Sequence, residues 1–163
     1  NSTTMPFIKQ FFIGGTNSVR AYRARSLGPG TFYAGNPVLK KTYLPDQPGD
    51  VKVEMNTELR FKLNSFLRGA LFVDAGNIYT IRTDSARPGS KFTSDFYKKF
   101  AVGTGVGLRV DIKFIVVRLD VAIPVRKPYL PGGPAWVFDQ INFGSKEWRK
   151  ENIVYNIAIG YPF

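Results

Sequence analysis

The chain has 163 residues, enough for one domain, of which 44% are hydrophobic and 15% aromatic. It contains no cysteine and no histidine, which removes thiol chemistry, disulfides, the usual zinc sites and every triad built on an imidazole base. Lys and Arg outnumber Asp and Glu by 23 to 12; the net charge of +11 fits a nucleic-acid partner, an anionic membrane surface or internal pairing with carboxylates, and does not choose among them.

The opening Asn1-Ser2-Thr3-Thr4 carries no apolar leader core and reads as the interior of a longer protein, so the chain is expected to be a fragment. Met5 to Ile13 is aromatic and apolar and predicts the end of a strand running up to a turn at Gly14-Gly15. Two adjacent glycines supply positive-φ freedom, Thr16-Asn17-Ser18 follow, and Arg20 then sits between Val19 and Ala21-Tyr22. That pattern is a loop tip presenting a guanidinium, whose planar fork suits carboxylates better than an ammonium does. Gly28-Pro29-Gly30, Gly35-Asn36-Pro37 and Pro45-Asp46-Gln47-Pro48-Gly49 make residues 14–50 one long loop, of the kind that usually carries function.

Val51 to Leu63 alternates without a fault, with Val51, Val53, Met55, Thr57, Leu59, Phe61 and Leu63 on one face and Lys52, Glu54, Asn56, Glu58, Arg60 and Lys62 on the other. Leu67 to Tyr79 returns after a turn at Asn64-Ser65-Phe66, making a hairpin. Thr80 to Lys99 is a long polar loop. Val102 to Ile112 sets Gly103, Gly105, Gly107, Arg109 and Asp111 on its polar face, turns tightly at Lys113-Phe114, and is followed by an alternating strand from Ile115 to Pro124. Lys127 to Lys150 is another loop, rich in Pro, Gly and Trp, and the last strand runs from Asn152 to Phe163. Five strands thus occupy 51–163, no helix longer than a turn is expected, and short connections alternate with long ones.

No run reaches the roughly 18 apolar residues that a membrane-spanning helix needs, but barrel strands are short and alternating. Alternating tight turns and long loops are the asymmetry of an outer-membrane barrel, and a soluble barrel such as a lipocalin seldom needs strands with so unbroken an apolar face. Tyr79, Phe100, Phe114, Tyr155, Tyr161 and Phe163 lie near strand ends, where an interfacial aromatic girdle would fall. With the polar faces inward, folding the first hairpin about Ser65 sets Glu58 opposite Phe72 and Asp74 opposite Asn56, so the two carboxylates are diagonal neighbours that call for a cation. Arg20 from the loop is one candidate; Arg60 and Arg68 are local alternatives. In the second hairpin Arg109 is diagonal to Asp120 and Asp111 to Arg118, an arrangement of self-paired charges.

At these residues the chain resembles the barrel-assembly and translocation superfamily of outer-membrane proteins, the group of BamA, TamA and the two-partner secretion transporters. Within it the chain looks closest to the TamA-like lipoproteins of Bacteroidetes. The resemblance is carried by Phe12 to Tyr22, by Thr57-Glu58-Leu59-Arg60-Phe61, by Leu71 to Tyr79, by Gly103, Gly105 and Gly107, and by the terminal Ile159-Gly160-Tyr161-Pro162-Phe163. It implies an all-β transmembrane barrel of sixteen strands, with residues 1–163 as the C-terminal part of a single barrel domain: the inward-folded sixth extracellular loop plus the last five strands.

It also implies a loop-tip motif of Gly14, Gly15, Val19, Arg20 and Tyr22, with Glu58 and Asp74 as lumen acceptors for Arg20. The usual glycine after the arginine is here Ala21. The glycine face of Gly103, Gly105 and Gly107 is expected to admit the loop closely, and Gly160, Tyr161 and Phe163 to form a weak terminal seam. The implied function is non-enzymatic assembly, insertion or translocation of polypeptide at the outer membrane. Its implied partners are the lipid bilayer, the N-terminal remainder of the barrel, client outer-membrane proteins and periplasmic or lipoprotein accessory subunits. Neither a cofactor, a metal nor nucleic acid is expected. A passive porin or receptor barrel is the alternative, one that gives no reason for the glycine pair and arginine at the loop tip.

Overall fold

A computed structural model describes residues 5–33, 46–112, 114–130 and 132–160. Among the described residues the fold is one antiparallel sheet, built from β1 (Val51–Lys62), β2 (Leu67–Tyr79), β3 (Ala101–Ile112), β4 (Ile115–Lys127), β5 (Ala135–Trp136) and β6 (Val154–Gly160). Neighbours along the chain pair in order from β1 to β4, and β4 is flanked on its far side by β6 over most of its length and by β5 at its end. Among the described residues no helix is long and apolar enough to cross a membrane.

The alternation read from the sequence becomes two faces of opposite character. On one, Met55, Leu59, Leu71, Val73, Val106, Leu108, Leu119, Val121, Tyr155, Ile157 and Ile159 are all exposed, Leu59 at 64% and Ile159 at 73%. An apolar surface running across five strands cannot face water without a large penalty of order 25 cal/mol per Å2, so it is the face turned to lipid. The other face is covered by the loop of residues 11–33, and there the small core sits: Ile13, Val19, Ala21, Tyr22 and Leu27 from the loop against Phe72, Ile78, Ala101 and Ala122 from the strands. Beyond the lipid-facing rows both faces are clothed by loops, and Tyr79 packs edge-on against Phe92 and Phe96 while its hydroxyl donates to the Phe96 carbonyl at 2.7 Å. Tyr79 and Phe100 are therefore buried and do not belong to a girdle, whereas Phe114 and Tyr155 are exposed.

Four expectations are corrected. The segment before Gly14 forms a 3-10 turn at Phe7–Lys9 and a single bridge between Phe11 and Gly49, not a strand; Pro48 beside that bridge has no N–H with which to extend it. β4 runs on past Pro124 to Lys127, because the proline falls at a register shift between Val102 and Gly103 where its missing donor is tolerated. Inside the last long loop, Lys146–Asn152 forms a short helix, α1. Ser145 caps it by accepting from the Trp148 N–H at 3.2 Å, and Lys-Glu-Trp-Arg-Lys-Glu contains no β-branched residue to oppose it. Asn152 thus ends a helix, and β6 begins at Val154. Lys113 of the tight turn and Tyr161, Pro162 and Phe163 of the terminal motif lie outside the described residues.

Candidate lumen arginine site

The loop tip is closed by its own backbone. Gly14 and Gly15 hold φ of 98° and 95°, and the Gly15 N–H donates to the Tyr22 carbonyl at 2.8 Å. A Cβ on Gly14 would run into the Arg23 carbonyl, so glycine is required there twice over, by backbone angle and by space. The Ser18 hydroxyl accepts from the Gly14 N–H at 3.1 Å and donates to Glu54 Oε2 at 2.6 Å, tying the turn to β1. Val19 is fully buried, and Tyr22 is buried with its hydroxyl donating to the Arg126 carbonyl at 2.6 Å. Burial pushes the Tyr22 phenol well above its ordinary pKa, so it stays a donor.

Arg20 is only 4% exposed and is satisfied on every side. Its Nε donates to Asp74 Oδ2 at 2.8 Å and its Nη2 to Asp74 Oδ1 at 2.8 Å, a parallel two-bond fork, while its backbone N–H donates to Asp74 Oδ2 at 3.0 Å. Nη1 reaches Glu58 Oε2 at 2.5 Å, and Asp120 Oδ2 lies 3.8 Å from it. The guanidinium lies over the Phe72 ring, 3.5 Å from its centroid, which adds a cation–π contact in a desolvated place. Burial opposes the charge on Arg20, but the bonds to Asp74 and Glu58 outweigh it and raise its pKa. The Asn56 amide donates to Asp74 Oδ1 and to the Ser18 carbonyl, both at 2.9 Å, and Asn156 on β6 donates to the Arg20 carbonyl at 2.9 Å.

The structure thus brings Arg20, Glu58 and Asp74 together, and it adds two residues that hairpin reasoning assigned elsewhere. Arg109, 2% exposed, donates to Asp120 Oδ1 at 2.5 Å, the diagonal pair foreseen on the second hairpin, but it also donates to both oxygens of Glu58. Two buried arginines and three carboxylates form one network, in which each arginine has at least two carboxylate partners and Asp74, fully buried, is held by Arg20 and the Asn56 amide. Arg60 adds an exposed donor to Glu58 at 2.7 Å. The other expected pair is absent: Asp111 bonds Arg68 at 2.8 Å, and Arg118 instead donates to the Asn17 side chain, because the docked tip lies over it. Among the described residues no cluster of three or more acidic side chains is placed to hold a metal ion.

The glycine face of β3 is the floor on which this rests. At Gly103 a Cβ would strike the Cβ of Ala21; at Gly105 it would strike the Val121 carbonyl and lie 2.5 Å from the Phe72 ring; at Gly107 it would strike Asp120 Oδ1 and lie 2.5 Å from Arg109 Nη1. The glycines leave room in turn for the tip, for the platform under Arg20, and for the Arg109–Asp120 pair.

A sheet with a lipid-facing side and an arginine-tipped loop docked on the other can be set beside known families. The model of the Omp85 superfamily domain matches residues 1–144. The chain belongs to the Omp85 superfamily. Its structure is similar to the crystal structure of BamA from Haemophilus ducreyi lacking POTRA domains 1-3, with a TM-score of 0.53 at 18% sequence identity. That match covers 96% of this chain and 28% of the BamA chain, so the chain spans less than a third of the length of that relative. The shared fold is that of an outer-membrane β-barrel, which agrees with the exposed apolar face and gives the Omp85 chain its place in the outer membrane.

Proposed function

We propose that this Omp85 chain is the C-terminal portion of a TamA-like barrel of the Bacteroidetes type, with residues 14–50 as the inward-folded loop and residues 51–163 as the closing strands. Its role is non-enzymatic: it assists insertion of client outer-membrane proteins, or passage of polypeptide, through a lateral seam at β6. The observation that carries this reading is the sinking of Arg20 into a five-membered charge network on the inner wall. Such a docked tip suits a barrel whose wall must open in a controlled way, whereas a passive pore gives no reason for the glycine pair and the buried arginine. Family membership and the BamA-like fold support the same reading. Among the described residues β6 is paired only on its β4 side, and space around Gly160 is open.

The test is a disulfide between Ala158→Cys and a cysteine on the strand that closes against β6, made in the barrel as it is expressed in the outer membrane. We expect client assembly to stop while the barrel keeps its heat-modifiable mobility. Full client assembly with the disulfide formed would refute the seam. A large, steady conductance in planar bilayers would instead favour the passive pore.

A further inference from the structure

The tip crosses the inner wall and meets one strand after another. Ser18 bonds Glu54 on β1, Arg20 bonds Asp74 on β2, Ala21 touches the site of Gly103 on β3, and Tyr22 donates to the Arg126 carbonyl on β4. Asn56, Asp74, Gly103 and Pro124 are successive cross-strand partners, so Arg20 and Ala21 read two neighbouring positions of a single transverse row.

Within that row Gly103 stands out for what it lacks. The three atoms nearest to a Cβ placed there all belong to Ala21, namely its Cβ, its Cα at 3.5 Å and its N at 3.5 Å. Gly103 is not among the glycines with positive φ, so its backbone does not call for glycine; its neighbour does. Ala21 is 3% exposed and has negative φ, so an alanine fits the tip without strain and its methyl group fills the vacancy on β3.

We propose that Ala21 and Gly103 form a knob and hole that fixes where the tip lands on β3, a steric determinant separate from the Arg20 ion pairs. The two act differently. A guanidinium on a long, flexible stem keeps its bonds through small displacements of its backbone, whereas a Cβ is rigidly attached and tolerates almost none. The charges therefore bring the tip to the wall, and the Ala21 methyl group selects its final seat.

The experiment places Gly103→Ala, Ala21→Gly and the double variant in the expressed barrel, each carrying Val19→Cys as reporter. Val19 is fully buried when the tip is docked and the chain has no cysteine of its own, so maleimide labelling at this position reads undocking. Overpacking the hole is expected to raise the labelling rate of Gly103→Ala roughly tenfold. Ala21→Gly should stay within about twofold of the parent, since it removes one methyl group and leaves every ion pair intact. The double variant should return to the Ala21→Gly rate. Labelling of Gly103→Ala as slow as the parent, or of the double variant as fast as Gly103→Ala, would overturn the proposal. Should Gly103→Ala fail to give a heat-modifiable barrel, restoration of folding by Ala21→Gly becomes the readout, and its failure overturns the proposal equally.

Discussion

Arg109 holds both carboxylate oxygens of Glu58, one from Nε at 3.1 Å and the other from Nη2 at 2.8 Å, so the acceptor of one arginine is oriented by another. Glu58 is thereby held by bonds that do not depend on Arg20, so part of the geometry of the docking site is set within the wall. Arg109 is itself anchored by Asp120 at 2.5 Å.

Removing Arg109 leaves the buried Asp120 and the half-buried Glu58 each short of a partner. Arg109→Ala is expected to cost about 3 kcal/mol of barrel stability, read from urea unfolding in lipid vesicles. Arg109→Lys should recover only part of this, because one ammonium cannot serve Glu58 with two bonds while also reaching Asp120. Wild-type stability in Arg109→Ala would show that the network is not cooperative.

Arg20→Lys is expected to weaken docking by about 1 to 3 kcal/mol although it conserves charge, since the parallel bonds to Asp74 and the stacking on Phe72 are both lost. A double-mutant cycle between Arg20→Ala and Asp74→Asn should give a coupling energy of similar size. A coupling near zero would mean that the pair seen here is not sustained in the membrane.

Phe72→Leu keeps a hydrophobe under Arg20 but removes the π face, and should cost about 1 kcal/mol. Gly105→Ala pushes a Cβ towards the same ring, 2.5 Å away, and also against the Val121 carbonyl oxygen of the neighbouring strand. Measured together, the two changes are expected to be somewhat less than additive, because Phe72→Leu removes the ring contact of the new Cβ while its contact with the Val121 carbonyl remains. Strict additivity would place the effect of Gly105 on the Val121 carbonyl alone.

A charge tests which face meets lipid. Val106 is 55% exposed near the middle of the apolar face, and Val106→Arg should destabilise the barrel by roughly 2 to 4 kcal/mol in vesicles. Val116 lies on the opposite face beside Asp111, and Val116→Arg should be close to neutral. Equal costs at the two positions would contradict the assignment of faces.

Much of this was readable in the sequence because strands advertise their own pairing. The alternation from Val51 to Lys62 and the turn at Asn64-Ser65-Phe66 set Glu58 opposite Phe72 and Asn56 opposite Asp74, and those are the observed partners. The bond from Arg109 to Glu58 was not readable in the same way. It passes over β2 from β3 to β1, and only the small Ala70 and Gly107, partners between those strands, leave the floor open for a guanidinium to cross. Pairwise hairpin reasoning sees neighbours and is blind to a side chain that skips a strand. The true partners of Arg118 and Asp111 were hidden for a related reason, because the first depends on where the loop lies and the second on β2. The helix Lys146–Asn152 did leave a signal, a Ser145 cap before a run of good helix formers, which the surrounding Pro, Gly and aromatic residues obscured.

The row of contacts made by the loop tip also bears on how the wall is assembled. A slip of one residue between two strands is self-correcting, since it turns every apolar side chain inward, but a slip of two leaves both faces looking right. β2 and β3 are joined by a loop of some twenty residues that does not itself forbid such an error. A two-residue slip in one direction would carry Gly103 about 7 Å along the strand and set Ala101 beside Asp74 in its place, where the alanine Cβ would take the seat of Ala21. Against that slip the docked tip works as a gauge laid across the finished strands: it seats where acid and glycine stand side by side, and not where alanine replaces the glycine.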